Sequence, residues 1–184
     1  DSGGTASGGV ATSAAQTFTI TVTAVNDAPT LAAIAVSGTE DTTLAFTAAN
    51  FTGAYAHADS TALVSITVAT LPATGLLKLS GTNVTASQVI PAANLANLTY
   101  VPAANENGAK TFSVTASDGT LSSAAATVTM TLAAVNDAPA LAAIAVSGTE
   151  DTTLTFTAAN FTGAFTDAES TALASITVAT LPAT

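Results

Sequence analysis

Hydrophobic positions in this chain alternate with Thr, Ser and Ala over short runs, and the runs stop at Gly, Pro, Asn and Asp. Residues 110–117 (KTFSVTAS) and 124–133 (AAATVTMTLA) show a period of two most plainly. That period puts alternate side chains on opposite faces of a strand, and β-branched residues suit the pleated surface. The same signal predicts seven strands within residues 25–134, over 30–37, 43–49, 62–70, 75–80, 96–102, 110–117 and 124–133. Segment 84–94 (VTASQVIPAAN) breaks the pattern and reads as a helical turn or an irregular crossover. No long helical period competes. The expected fold is all-β, a seven-strand Greek-key β-sandwich.

The chain also repeats itself. Residues 25–74 return as 135–184 with seven differences, at 30, 45, 55, 56, 57, 59 and 64. A period of 110 residues is one whole domain rather than a turn of a solenoid, and that length suffices for a self-sufficient core. The division is then 1–24, the C-terminal strand region of a preceding repeat; 25–134, a complete repeat; and 135–184, the N-terminal half of a following one. The first assignment rests on TFTITVTAVNDAP, which mirrors TVTMTLAAVNDAP at the next boundary. The chain reads as a window on a longer tandem array.

Counting crossings gives each loop a side. With Pro29 at the top, the first strand runs down to Glu40 and Asp41. Those 11 residues span roughly 36 Å when extended, one domain length. The loop 55–60 falls at the top, AANENG (103–108) at the bottom, Ser117–Gly119 at the top, and Asn136–Asp137 beyond the bottom. An odd strand number sends the chain in at one end and out at the other, so the repeats should stack as a rod.

Charge sharpens this picture. Twelve acidic residues face two lysines, Lys78 and Lys110, for a net charge of −10. Such a polyanion repels nucleic acid and anionic lipid, so no nucleic-acid partner is expected. No run of eighteen apolar residues exists, so no membrane insertion is expected. Cysteine is absent, which removes disulfides and thiolate metal sites. The acids occupy five recurrent places: the linker (Asp27, Asp137), the first bottom loop (Glu40, Asp41, Glu150, Asp151), the top loop (Asp59, Asp167, Glu169), AANENG (Glu106) and a turn (Asp1, Asp118). The strand count gathers Glu40, Asp41, Asn105, Glu106 and Asn107 at the bottom of the complete repeat, near Asn136, Asp137, Asp167 and Glu169. Each alone is an ordinary turn residue. Together they form a loop-rich set of hard oxygen donors without a nearby base, which suits Ca²⁺ better than Zn²⁺ or Mg²⁺.

The linker VNDAP, GTEDTTL after the first strand, the top loop DAES, and NENGAKTFSVTASDG before the last strand resemble bacterial cadherin-like repeats, found in tandem in large secreted adhesins. VTASQVIPAANLANLTYVP resembles the matching stretch of chondroitin-sulfate-proteoglycan-type repeats. The resemblance implies Ca²⁺ between domains. Its ligands would be Glu40, Asn105, Glu106, Asn107, Asn136, Asp137, Asp167 and Glu169 at the second junction, and Asn26, Asp27, Asp59 and Asp118 at the first. The chain departs from that pattern at Ala28, at NEN, and at His57, which stands where the next repeat has Asp167. The first junction is therefore expected to bind fewer ions, or to bind more weakly.

No catalytic constellation is visible. His57, the single histidine, reads as a surface loop residue. Lys110 follows a Gly-Ala turn and reads as exposed, which argues against an isopeptide bond. Asn50, Asn83 and Asn97 head glycosylation-type sequons. Phe46, Phe51, Tyr55, Tyr100 and Phe112 read as core. The expected function is a non-enzymatic, Ca²⁺-rigidified extender at a bacterial cell surface, its partners being neighbouring repeats of the same chain. The alternatives are a filament or matrix fibre of associating identical chains, and a spacer in a secreted glycan-degrading enzyme.

Overall fold

The alternation read along the chain becomes alternating burial in the computed structural model, which describes residues 15–180. Asp1 lies outside them. The complete repeat carries β1 (Thr30–Leu31), β2 (Ile34–Thr39), β3 (Leu44–Ala45), helix α1 (Ala48–Thr52), β4 (Tyr55–Ala56), β5 (Ser65–Thr70), β6 (Leu76–Leu79), β7 (Thr82–Asn83), β8 (Val89–Pro91), a 3-10 helix (Ala92–Asn97), β9 (Leu98–Val101), β10 (Gly108–Ser117) and β11 (Ala126–Ala133). The following repeat adds β12 (Ala140–Leu141), α2 (Ala158–Thr162) and β13 (Phe165–Thr166).

A five-stranded sheet in the order β2-β11-β10-β5-β8 faces a four-stranded sheet in the order β3-β9-β6-β7. Phe112, Val114 and Ala116 of β10 and Val128, Met130 and Leu132 of β11 point between them, while the intervening residues do not. Phe46 meets Phe51 at 5.8 Å and Phe112 at 5.7 Å, the latter edge-on. Such tilted contacts suit the aromatic quadrupole. The buried core cluster lies wholly within residues 34–132.

Three elements differ from the pattern's expectation, each for a local reason. The strand expected over 30–37 is two strands. Its first piece pairs with β4 and its second with β11, the switch following the Ala32 N–H bond to the Ala54 carbonyl (2.9 Å). The strand expected over 43–49 ends at Ala45, because Thr47 caps a helix. The Thr47 hydroxyl accepts from the Asn50 N–H (3.3 Å), and the Asn50 side chain accepts from the Thr47 N–H (2.7 Å). This reciprocal cap turns the chain inward and buries Phe51 completely. It also occupies the side chain of the first sequon. The segment 84–94, read as a helical turn or an irregular crossover, does run into a 3-10 helix at Ala92, but it first forms β8, which joins the edge of the five-stranded sheet.

β2 and β11 run parallel, with Val128 beside Ile34 and Ala133 beside Thr39. The chain therefore enters the repeat at one end and leaves at the other. In the following repeat β12 and β13 reproduce the β1–β4 register, Leu141 opposite Phe165 as Leu31 is opposite Tyr55. Its apolar residues are less covered: Phe156 is 57% exposed and Val178 68%, against 2% for Phe46 and 0% for Val68. Counterparts of β10 and β11, which cover those positions in the complete repeat, are not among the 184 residues.

Candidate functional site

Glu40 follows directly on β2, and its N–H extends the β2–β11 ladder by donating to the Ala133 carbonyl (3.0 Å). The residue is only 1% exposed. Its carboxylate accepts from the Val135 N–H at 2.6 Å and from the Asn107 side-chain amide at 3.2 Å. One acid thus ties the last strand, the linker and the AANENG loop together. Next to it, Asp41 accepts from the Asn105 N–H (3.0 Å). Asp41 and Asn105 both have positive φ, 54° and 57°. Asp and Asn tolerate that region because their short side chains bond locally.

The linker carries the contact to the next repeat. Asn136 donates to the Asp137 carbonyl (3.1 Å), and the Asp137 N–H donates to the Glu169 carboxylate (3.1 Å). Asp167 is held by the Thr171 N–H (2.8 Å). Glu40, Asp137 and Glu169 each then offer a carboxylate oxygen, and the three oxygens lie within 4.8 Å of one another. The Asp137 Oδ2 atom is buried and has no hydrogen-bond partner. Burial first, then the charges of Glu169, Asp41, Glu40 and Asp167, push the Asp137 carboxyl up from its ordinary value. A cleft of about 310 Å³ beside it is lined by Asn105, Asp137, Ala140, Thr166 and Asp167. A water in the liquid takes about 30 Å³, so there is room for an ion and part of its hydration shell.

These residues fit a Ca²⁺ ion. Ca²⁺ takes oxygen ligands at about 2.3–2.6 Å, so ligands on opposite sides of one ion stand roughly 4.8 Å apart. The donor set is all oxygen, the orphaned Asp137 oxygen has no other partner, and no lysine bonds to the group. The described lysine ion pair, Lys110 with Glu106 at 3.3 Å, lies elsewhere.

Glu106 is not brought to the junction. It turns inward and accepts from the Thr74 hydroxyl, the Tyr100 hydroxyl (2.7 Å) and the Ala103 N–H (2.8 Å), with Lys110 beside it. Burial pushes its carboxyl up, but the bonds from Thr74, Tyr100, Ala103 and Lys110 outweigh this and hold it at about 2. Burial and Glu106 together raise the Tyr100 phenol. Lys110 is only 26% exposed because it packs against this acid, which corrects its reading as exposed. The sequence offered one signal for this cluster, Gly75 next to Thr74. Gly75 has φ +67°, and a side chain there would collide with the Tyr100 ring.

At the other end of the repeat, Asn26, Asp27, Asp59 and Asp118 do come together, around His57. The histidine side chain is 1% exposed, which corrects its reading as a surface residue. Its Nε2 lies 3.0 Å from Asp118 Oδ2, and its Nδ1 accepts from the Asp59 N–H (3.0 Å). Asn26 donates to the same Asp118 oxygen (2.8 Å), and the Asp27 N–H donates to Asp59 (2.9 Å). The other Asp118 oxygen accepts from the Thr120 and Leu121 N–H groups, both at 2.7 Å. The bonds from Asn26, Leu121, His57 and Thr120 hold the Asp118 carboxyl well below the usual range.

A family model described as bacterial Ig domain matches residues 26–131, which is the sandwich described above almost to its ends. No curated protein and no solved structure matches the chain. Domains of this kind are structural, typically non-catalytic modules, commonly placed outside the cell. Among the described residues no helix is long and apolar enough to cross a membrane.

Proposed function

The chain belongs to the bacterial Ig domain family, and we propose that it is a non-enzymatic extender of a surface adhesin, its repeats stiffened at their junctions by Ca²⁺. The observation that carries this reading is the meeting of Glu40 from one repeat, Asp137 from the linker and Glu169 from the next. Three carboxylates from three consecutive parts of the chain repel one another, and the repulsion flexes the linker. A bound Ca²⁺ would supply the charge that draws them together. The protein's own bonds prepare the geometry. Glu40 pins Val135 and Asn107, the Asp137 N–H pins Glu169, and the Thr171 N–H pins Asp167. The parallel β2 and β11 make each repeat a straight segment between joints. The partners are accordingly the neighbouring repeats, and the setting is a bacterial cell surface.

Calorimetric titration of Ca²⁺ into the chain tests this, alongside E40Q and D137N. The native chain should bind, and each variant should lose affinity by about tenfold or more, because fewer charged oxygens remain. No binding by the native chain, or equal binding by D137N, would contradict the assignment.

A further inference from the structure

The outer face of the five-stranded sheet carries hydroxyls and no charge. Thr111 stands beside Thr129, Ser113 beside Thr127 and Thr115 beside Thr67, all on the side of β10 away from Phe112. Thr131 beside Ser37 carries the pattern on to β2, and Val89 closes it along β8. Within residues 25–134 no Asp or Glu stands in a strand; the acids lie in the linker and the loops. Lys110 is on the Phe112 side of β10, against Glu106, and Lys78 is in β6 of the other sheet. We propose that this face is where two copies of the chain lie side by side, hydroxyl face on hydroxyl face.

Charge carries the first part of the argument. Two copies at a net charge of −10 repel each other, and least where neither presents a carboxylate. Soluble surfaces ordinarily intersperse charges that keep copies apart. Here a whole sheet face has none. The chemistry of the face then selects its occupant. A hydroxyl both donates and accepts, so an identical face is its own complement. The fold shows such pairing within one sheet, where the Thr70 and Ser113 hydroxyls bond across β5 and β10 at 2.7 Å. A charged partner would meet no opposite charge on this face. A sugar ring would find no aromatic to stack on, because Phe46, Phe51, Tyr100 and Phe112 are buried in the core. Twist is no obstacle: twisted sheets pack face to face about 10 Å apart with their strands within about 30°. Size sets the strength. Five strands about 4.8 Å apart, as long as β11, make a face of roughly 600 Å². Two such faces reach only the lower edge of specific interfaces, about 1,200 Å² in total. The pairing is therefore weak and reversible for one repeat, and each further pair of repeats adds to it.

Sedimentation velocity over a range of concentrations tests this on residues 25–184 continued by residues 75–134, which supply two whole sandwiches. Chelator is present throughout, so no cation bridges carboxylates. The native protein should pass from monomer to dimer as its concentration rises. Added NaCl screens the acids and should tighten the pairing. Thr111 and Thr127 are exposed, so T111E with T127E in both sandwiches sets carboxylates into the face. That variant should weaken the pairing by about tenfold or more. T82E with N83E adds the same charge at exposed positions of β7 in the other sheet, and should pair as the native protein does. Thermal unfolding checks that each variant folds, and T111E alone replaces the double variant if that one does not. A native protein that stays monomeric throughout, a folded T111E variant that pairs as tightly as T82E with N83E, or a pairing that salt loosens would overturn the inference. None of these results bears on the cation reading of the joint.

Discussion

At the residue scale, the side chain that does most unexpected work is Glu106. It stands in a loop of turn residues, yet it faces inward and is bonded by Thr74, Tyr100 and Ala103. Its carboxyl is held at about 2, below an unfolded value of about 4.3. The ionised form is therefore favoured by folding. Its stabilising effect is complete above about pH 4.3 and is lost as the pH falls toward 2. Urea unfolding across that range should show stability declining with acid, and E106Q should flatten the decline. Y100F removes the phenol that bonds both Glu106 and the Thr74 carbonyl, and should cost about 1–3 kcal/mol. G75A should cost a comparable amount, roughly 2–4 kcal/mol, from a left-handed backbone and a collision with Tyr100.

At the element scale, the five residues of α1 are too few to persist without a cap and a docked side chain. T47A should cost about 1 kcal/mol and F51A about 3–5 kcal/mol in chemical unfolding. Equal small losses from both would show that α1 does not anchor the core. This helix also marks where the sequence was hardest to read. Period-two alternation identified β10 and β11 because nothing local competes there. In LAFTAANF the apolar pattern runs on, but the Thr47–Asn50 pair satisfies the backbone within four residues and ends the strand. Asn stands where a capping box usually has Glu or Gln, so the pair did not mark itself. The β7–β8 excursion was not legible either, because two- and three-residue strands carry no periodicity. The junction was legible for a different reason: acids clustered in loops, and loop sides followed from strand parity. Burial of Glu106 and His57 was not legible, because it depends on Tyr100 and Asp118, partners that the fold brings into contact and that no spacing in the sequence marks.

At the scale of the whole molecule, one sandwich is repeated almost unchanged while its joints vary. Four of the seven differences between the two blocks, at 55, 56, 57 and 59, fall in the loop that faces the joint. The most direct test of the cation-stiffened joint is small-angle X-ray scattering on residues 25–184 continued by residues 75–134, with Ca²⁺ and then with chelator. The account predicts a rod with Ca²⁺ and a shorter maximum dimension with a broader distance distribution after chelation. The same maximum dimension in both conditions would contradict it.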